Sequence, residues 1–263
     1  MKTPVRILLR AFLISMGAIL IMPASAKPIR VALLSDSGCT DEKSREAAWK
    51  VISADSELDA KKVVAKDLVS HLDDYDVYIF PGGTGSGEAK ALGIDGGKAL
   101  TEAVKNGKGA IAICAGGYLV AEGWNPETKA TELVNAKLFD DDHWARGEQF
   151  ISVTTVGDDN DSSRTMWFEN GPIFSPGTTE GMPKYTPLVR YVTDLAAKDA
   201  PKGMMAGRDA VIAAPLGKGR VVAFGPHPEL SKDLHHWLTN AIKWTAKGES
   251  APEPSVKSVL EGK

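Results

Sequence analysis

The chain has 263 residues, 43% of them hydrophobic and 25% charged, with a formal net charge of −3. This length and composition are sufficient for one large domain with a substantial core. The basic residues form neither a stripe nor a nucleic-acid-binding motif, so the charge pattern argues against nucleic acid as a partner.

Residues 1–26 have the layout of a secretory signal peptide. Basic residues precede an apolar run at 11–22, and small residues follow it up to Ala26. The run contains 12 residues, whereas a membrane-spanning helix needs about 20, so we expect no stable membrane anchor. These features predict cleavage after Ala26 and a mature chain, 27–263, that is periplasmic or secreted.

Residues 28–123 alternate between strand and helix patterns. Apolar runs with β-branched residues predict strands at 28–36, 61–66, 76–83 and 110–114. Helical periodicity and helix-end residues predict helices at 41–54, 96–109 and 115–123. This alternation predicts an α/β fold in which a doubly wound, mostly parallel sheet carries helices on both faces.

The pattern changes at about 124–190, where short strands lie between Pro, Gly and Asp clusters and predict a β-rich extension. Residues 210–225 predict a hairpin, and 233–248 predict an amphipathic final helix. The end of the chain is polar and contains proline. We therefore predict one domain over 27–247 and a flexible tail at 248–263.

Three predicted strands end in segments that carry chemistry: "FPGGTGSG" (80–87), "ICAGGYL" (113–119) and "FGPHPE" (224–229). In an open α/β sheet, ligands bind outside the carboxyl ends of the strands. We therefore expect a functional site where these three segments meet.

Cys114 lies where a predicted strand passes directly into a helix, with Ala112, Ala115 and Gly116 around it. A sharp strand-to-helix turn holds a nucleophile in a strained backbone and needs small neighbours. The helix N-terminus favours the thiolate form. Taken alone, however, a free cysteine in an apolar strand is more often an inert core residue.

His227 and Glu229 follow the last strand and are candidates for base and orienting carboxylate. A thiol becomes a useful nucleophile when a neighbouring imidazole takes its proton, and a carboxylate fixes the imidazole tautomer. Two residues apart on an extended segment, the two side chains point to the same side. The alternative is a surface turn in which both face water.

Acyl transfer also requires a site that stabilises an oxyanion, and the glycine turn at the end of the strand 76–83 is a candidate for it. Backbone N–H groups there, together with the N–H after the nucleophile, can stabilise a developing oxyanion. Gly82, Gly83 and Ala115 are the candidate donors.

Together these motifs resemble the class I glutamine amidotransferase superfamily, and more closely the exported proteins of the biotin-protein-ligase N-terminal-domain family. The resemblance rests on "YIFPGGTG" (78–85), "AICAGGYLVAEG" (112–123), "FENGPIF" (168–174) and "LGKGRVVAFGPHPE" (216–229). It implies a flavodoxin-like sheet and a Cys-His-Glu triad, which falls here on Cys114, His227 and Glu229. It also places Asn170 in a turn near the active site.

The sequence departs from the amidotransferase elbow, G-x-C-x-G-x-Q, at two positions. Ala112 replaces the first glycine, and Tyr118 stands where the family has a substrate-binding glutamine. Glutamine is therefore not the expected substrate. Tyr118 is a candidate pocket residue, although buried aromatics more often belong to the core.

Cys39 follows the first strand and lies on the same sheet edge as Cys114. In an oxidising compartment the two cysteines invite a disulfide, which would block the nucleophile. Two functions thus remain open. One is a thiol hydrolase of amidase type that acts on a small-molecule or peptide-like amide; the other is a catalytically silent binding module, redox-controlled through Cys39 and Cys114.

The acidic run at 139–148 could hold a hard metal ion through Asp140, Asp142 and His143, but runs of carboxylates are more often solvated loops. We therefore predict neither a metal nor a cofactor. The sequence leaves the oligomeric state open.

Overall fold

The computed structural model describes residues 27–123, 125–139, 146–157, 162–197 and 200–263. The predicted signal peptide, 1–26, lies outside these residues. None of the helices in the described ranges is both long and apolar enough to cross a membrane.

Within the described residues, eleven strands join in one sheet. They are β1 (Ile29–Leu34), β2 (Leu58–Val63), β3 (Val77–Phe80), β4 (Gly109–Ile113), β5 (Ala136–Leu138), β6 (Glu148–Thr155), β7 (Arg164–Glu169), β8 (Phe174–Pro176), β9 (Thr186–Tyr191), β10 (Asp209–Leu216) and β11 (Gly219–Phe224). The strand order is β2-β1-β3-β4-β11-β10-β9-β6-β7, and β8 joins β10 to β5.

The sheet has a parallel part and an antiparallel part. The strands β2, β1, β3, β4 and β11 run parallel to one another, whereas the pairings from β11 through β10, β9 and β6 to β7 are antiparallel. The predicted doubly wound α/β fold is therefore confirmed. The predicted β-rich extension supplies most of the antiparallel strands.

Helices cover both faces of the parallel strands. They are α1 (Glu42–Ser53), α2 (Ala65–Ser70), α3 (Gly85–Lys105), α4 (Ala115–Val120), α5 (Pro126–Ala130) and α6 (His235–Thr245). Alternate residues of β1 point to opposite faces: Val31 and Leu33 share a core with α1 and α6, whereas Ala32 and Leu34 share one with α2 and α3. A parallel strand buried on both faces is continuously apolar, which explains the unbroken runs in the sequence.

One predicted helix, 96–109, is the second half of a longer element. Helix α3 begins at Gly85 and bends at Gly93, whose φ of 69° is not helical. The glycine-rich stretch at 85–97 has low helix propensity, so the sequence pattern hid the first half. The position of the helix start matters because its first turn lies at the carboxyl edge of the sheet.

The predicted flexible tail, 248–263, is corrected by the structure. Val259 and Leu260 are fully buried, and the turn that carries them packs against α6. Asn240 Nδ2 donates to Leu260 O at 2.8 Å, and Trp244 Nε1 donates to Pro252 O at 3.1 Å. A few apolar residues in a polar segment are a weak sequence pattern, yet here they pack on the core and, with these hydrogen bonds, attach the segment to α6.

We predict that Leu260→Ala lowers the free energy of unfolding by about 2–4 kcal/mol, because truncating a fully buried leucine leaves a cavity. Urea unfolding followed by circular dichroism measures the change. Lys257→Ala on the same turn, where the side chain is exposed, is the matched control and should change stability by less than about 0.5 kcal/mol. Equal midpoints for the two variants would contradict the packing of the tail.

Candidate active site

A cavity of about 760 Å³ opens at the carboxyl ends of the parallel strands. It is lined by residues 37–41 and 82–86 and by Cys114, Ala115, Tyr118, Leu138, Glu169, Asn170 and His227. The three segments predicted to meet at this edge all contribute to it.

Strand pairing explains why Cys114 and His227 share the cavity. Strand β4 runs parallel to β11, with Ile113 paired to Phe224. Cys114 N donates to Phe224 O at 2.8 Å, so the two strands are still hydrogen-bonded where the nucleophile candidate begins. His227 follows β11 by three residues and therefore emerges at the same edge of the sheet.

Cys114 occupies a strained turn. Its φ of 50° and ψ of −103° lie outside the regions that non-glycine residues favour. The glycine after Ala115 is required sterically, because a Cβ on Gly116 would lie 2.4 Å from Phe80 O. The sequence "CAGG" is thus a compact elbow that presents the Cys114 side chain to the cavity.

His227 and Glu229 form a buried pair beside this elbow. Each is only 2% exposed, and His227 Nδ1 lies 2.7 Å from Glu229 Oε1. Among the described residues, His227 Nε2 has no hydrogen-bond partner. The segment is not extended throughout, as the sequence suggested, because Pro228 begins a 3₁₀ turn that carries Glu229.

The charges around His227 favour its protonated form. Burial by itself lowers the pKa of the imidazole, but the neighbouring Glu229 and Cys114 outweigh it and raise the pKa of His227 well above its ordinary value. The site therefore favours an imidazolium at neutral pH. Such a cation is a suitable partner for a thiolate at Cys114.

The Cys114 thiol is held by a backbone carbonyl in this structure. Its Sγ donates to Glu169 O at 3.2 Å. The Glu169 carboxylate in turn accepts from Lys43 Nζ at 3.1 Å and from Trp167 Nε1 at 3.0 Å. These contacts hold Glu169 in place, and its backbone carbonyl accepts the hydrogen bond from the Cys114 thiol.

Tyr118 and Asn170, both predicted pocket residues, contact each other across the cavity wall. Tyr118 Oη donates to Asn170 O at 3.1 Å. Asn170 has a φ of 50°, and its Oδ1 accepts from Gly147 N at 2.7 Å, which stabilises this left-handed turn. The two residues therefore close one side of the cavity as a unit.

The structure corrects one of the three oxyanion candidates. Gly82 N donates to Ser44 Oγ at 2.8 Å and is not available to a substrate. Gly83 N and Ala115 N have no acceptor within the described residues, and both residues line the cavity. An oxyanion site would therefore consist of these two amides.

The alternative disulfide between Cys39 and Cys114 is not formed, since both cysteines are free and buried. Burial, with further contributions from Glu88 and Asp36, raises the pKa of Cys39 to about 12. Cys39 is thus a neutral thiol at physiological pH. It lines the same cavity as Cys114.

Sequence reasoning missed two residues of the site. Ser44, on α1, donates to Glu229 Oε1 at 2.7 Å. Glu88, on α3, is fully buried, and neither carboxyl oxygen has a hydrogen-bond partner in the described part of the chain. Burial, and to a lesser extent Cys114, raise the pKa of Glu88 well above its ordinary value. Ser44 lay within the helix predicted at 41–54, and Glu88 lay outside every predicted helix and strand.

The acidic run considered as a metal site falls largely outside the described residues, which omit 140–145. Within the described ranges, no three His, Cys, Asp or Glu side chains cluster as metal ligands would.

The fold is shared with solved structures. A crystal structure of a glutamine amidotransferase aligns with a TM-score of 0.55 at 19% identity, over 82% of this chain and 98% of that chain. A GMP synthase-like protein from Thermoplasma acidophilum aligns with a TM-score of 0.47 at 13% identity, over 78% of this chain and 86% of that chain. No family model and no curated protein matches the sequence. The chain therefore has a glutamine amidotransferase-like fold, and this degree of similarity shows the fold alone.

The raised pKa of Glu88 predicts a specific dependence of stability on pH. Because Glu88 is neutral when folded and ionised when unfolded at neutral pH, the unfolded state binds fewer protons, and stability falls as pH rises above about 4.5. Glutamine does not titrate, so the Glu88→Gln variant lacks this contribution of residue 88 to the pH dependence of stability. Its stability relative to the wild type should increase by up to about 1.4 kcal/mol per pH unit between pH 5 and the folded-state pKa.

Unfolding by urea at pH 4, 6 and 8 measures this difference. Glu180→Gln is the matched control, since Glu180 is exposed, and it should follow the wild type at every pH. A difference between Glu88→Gln and the wild type that does not vary with pH would show that Glu88 is ionised in the folded protein.

Proposed function

We propose that this protein is a cysteine-dependent hydrolase of the amidase type, with Cys114 as nucleophile, His227 as general base and acid, and Glu229 as the group that orients His227. The observation that carries the proposal is the buried His227–Glu229 hydrogen bond, 2.7 Å long, beside a thiol held at positive φ in the same cavity. A strained thiol, an imidazole and a buried carboxylate together are what thiol-based acyl transfer requires.

In the proposed reaction the Cys114 thiolate attacks the amide carbonyl carbon, and the carbon–sulfur bond forms as the carbonyl π electrons move to oxygen. The amides of Gly83 and Ala115 stabilise this oxyanion. His227 then donates its proton to the leaving nitrogen as the carbon–nitrogen bond breaks, leaving a thioester on Cys114. Water, deprotonated by His227, then attacks the thioester carbonyl carbon. As the carbon–sulfur bond breaks, the carboxylic acid leaves and the Cys114 thiolate is restored beside the protonated His227.

The proposed substrate is a small-molecule or peptide-like amide. The cavity volume of about 760 Å³ is in the range of small-molecule sites. Tyr118 lines the cavity at the position where the resembled amidotransferases have a substrate-binding glutamine, and this difference argues against glutamine as the substrate. The resemblance to the biotin-protein-ligase N-terminal-domain family is consistent with a changed substrate on a retained elbow.

The proposal predicts selective alkylation of Cys114. With iodoacetamide at pH 6, Cys114 should react while Cys39, with its pKa of about 12, should not. His227→Ala should slow the reaction about 100-fold, because the thiolate loses its cationic partner. Intact mass followed by peptide mapping locates and times the label. His236→Ala, which removes an exposed histidine on α6, is the matched control.

The second measurement is turnover. A panel of aminoacyl and peptidyl p-nitroanilides should include one whose hydrolysis is abolished by Cys114→Ala and greatly reduced by Glu229→Gln. The enzymatic function would be overturned if Cys114 reacted no faster than a cysteine in an unfolded peptide and no substrate were turned over. The alternative, a catalytically silent binding module, would then remain.

We further propose that the protein acts outside the cytoplasm, on the strength of the charged, apolar and small-residue segments within 1–26. The protein recovered from the periplasm or medium of an expressing bacterium should begin at Lys27. Its intact mass and N-terminal peptide test this directly. An Ala26→Arg variant should remain unprocessed, and a wild-type protein that keeps residues 1–26 in the cytoplasm would contradict export.

A further inference from the structure

We propose that Ser44 is a positioning residue that fixes the Glu229 carboxylate and couples it to the Gly82–Gly83 turn. This inference rests on the proposed function, because it assigns a role within the same site. Ser44 is on the first turn of α1, is 1% exposed and does not line the cavity, so it acts through other residues rather than on the substrate.

The contacts of the Ser44 hydroxyl determine the direction of its proton. Gly82 N donates to Ser44 Oγ at 2.8 Å, and Ser44 Oγ lies 2.7 Å from Glu229 Oε1. The amide can only donate, so the single hydroxyl proton is directed at Glu229 Oε1. Ser44 therefore requires a hydrogen-bond acceptor at that oxygen of Glu229.

Glu229 Oε1 is also the oxygen that contacts His227 Nδ1, at 2.7 Å. It thus receives two donors, whereas Glu229 Oε2 has no partner among the described residues. Without Ser44, either oxygen could face the imidazole, because only one contact would hold the carboxylate. Ser44 thus restrains rotation of the Glu229 carboxylate and keeps Oε1 directed at His227 Nδ1, which holds the orientation of the imidazole.

The backbone of Ser44 is itself held in place. Its N–H donates to Asp41 Oδ2 at 2.8 Å, which is the N-cap bond of α1. On the opposite side, a Cβ added to Gly82 would lie 2.9 Å from His227 Cε1 and 3.0 Å from Ser44 Oγ. The glycine turn, the hydroxyl and the imidazole therefore pack directly against one another, and the Gly83 amide is positioned by the same contacts.

The test is the rate of Cys114 alkylation by iodoacetamide from pH 5 to pH 9, followed by mass. Ser44→Ala should slow alkylation at pH 6 by about 10- to 100-fold, the value of a hydrogen bond to a charged group, and should move the acid limb of the profile to higher pH. Thr245→Val is the control: it removes a buried hydroxyl that donates to Ile242 O near Gly109, at the other end of β4, and should keep the wild-type profile.

A double-mutant cycle separates positioning from general destabilisation. If Ser44 acts through Glu229, the double variant Ser44→Ala/Glu229→Gln should be no slower than Glu229→Gln alone. Multiplied effects, or an unshifted pH profile in Ser44→Ala, would overturn the inference. Should Ser44→Ala fail to fold, Ser44→Cys, which keeps a weaker donor of similar size, should show an intermediate shift, and a wild-type profile would overturn the inference.

The outcomes also separate this inference from the proposed function. If Cys114 of the wild-type protein reacts no faster than a peptide cysteine, the proposed enzymatic function is overturned. A wild-type protein with an activated Cys114 and an identical Ser44→Ala profile leaves the enzyme intact and removes only the role of Ser44.

Discussion

The hydrogen bond between His227 and Glu229 is the interaction on which the rest of the site depends. Removing either partner would leave the other buried without its principal counter-charge, at a cost of about 3–5 kcal/mol. Burial by itself would favour a neutral imidazole, but the neighbouring Glu229 and Cys114 raise the pKa of His227 and favour its protonated form. The hydroxyl of Ser44, the turn at Gly82 and the elbow at Cys114 are arranged around it.

A second constraint is the geometry of the sheet edge. Four strands, β1, β3, β4 and β11, end at this edge, and the segment that follows each of them contributes residues to the cavity. The antiparallel extension completes the site from the other side, because Glu169 and Asn170, at the end of β7, close the cavity over Cys114 and Tyr118. The parallel strands thus position Cys114 and His227, and the antiparallel extension forms the opposite wall of the cavity.

The sequence predicted the features that are encoded locally. Continuous apolar runs located the strands, and the residues at their carboxyl ends identified Cys114, His227 and Glu229 as neighbours. It could not predict Ser44 or Glu88, because their significance arises from the packing of α1 and α3 against the sheet. It likewise could not show that Ser44 occupies the Gly82 amide, nor that two apolar residues, Val259 and Leu260, attach the end of the chain.

The pairing of β4 with β11 has a consequence for how the site tolerates change. Ala112 pairs with Ala223 and Ile113 with Phe224. This strand register determines how Cys114 and His227 are placed relative to each other. A single residue inserted into β11 would move His227 forward by about 3.3 Å, a single deletion would move it back by as much, and either change would turn its side chain to the opposite face. Chain length within these strands is therefore as stringent a requirement as the identity of the reactive side chains.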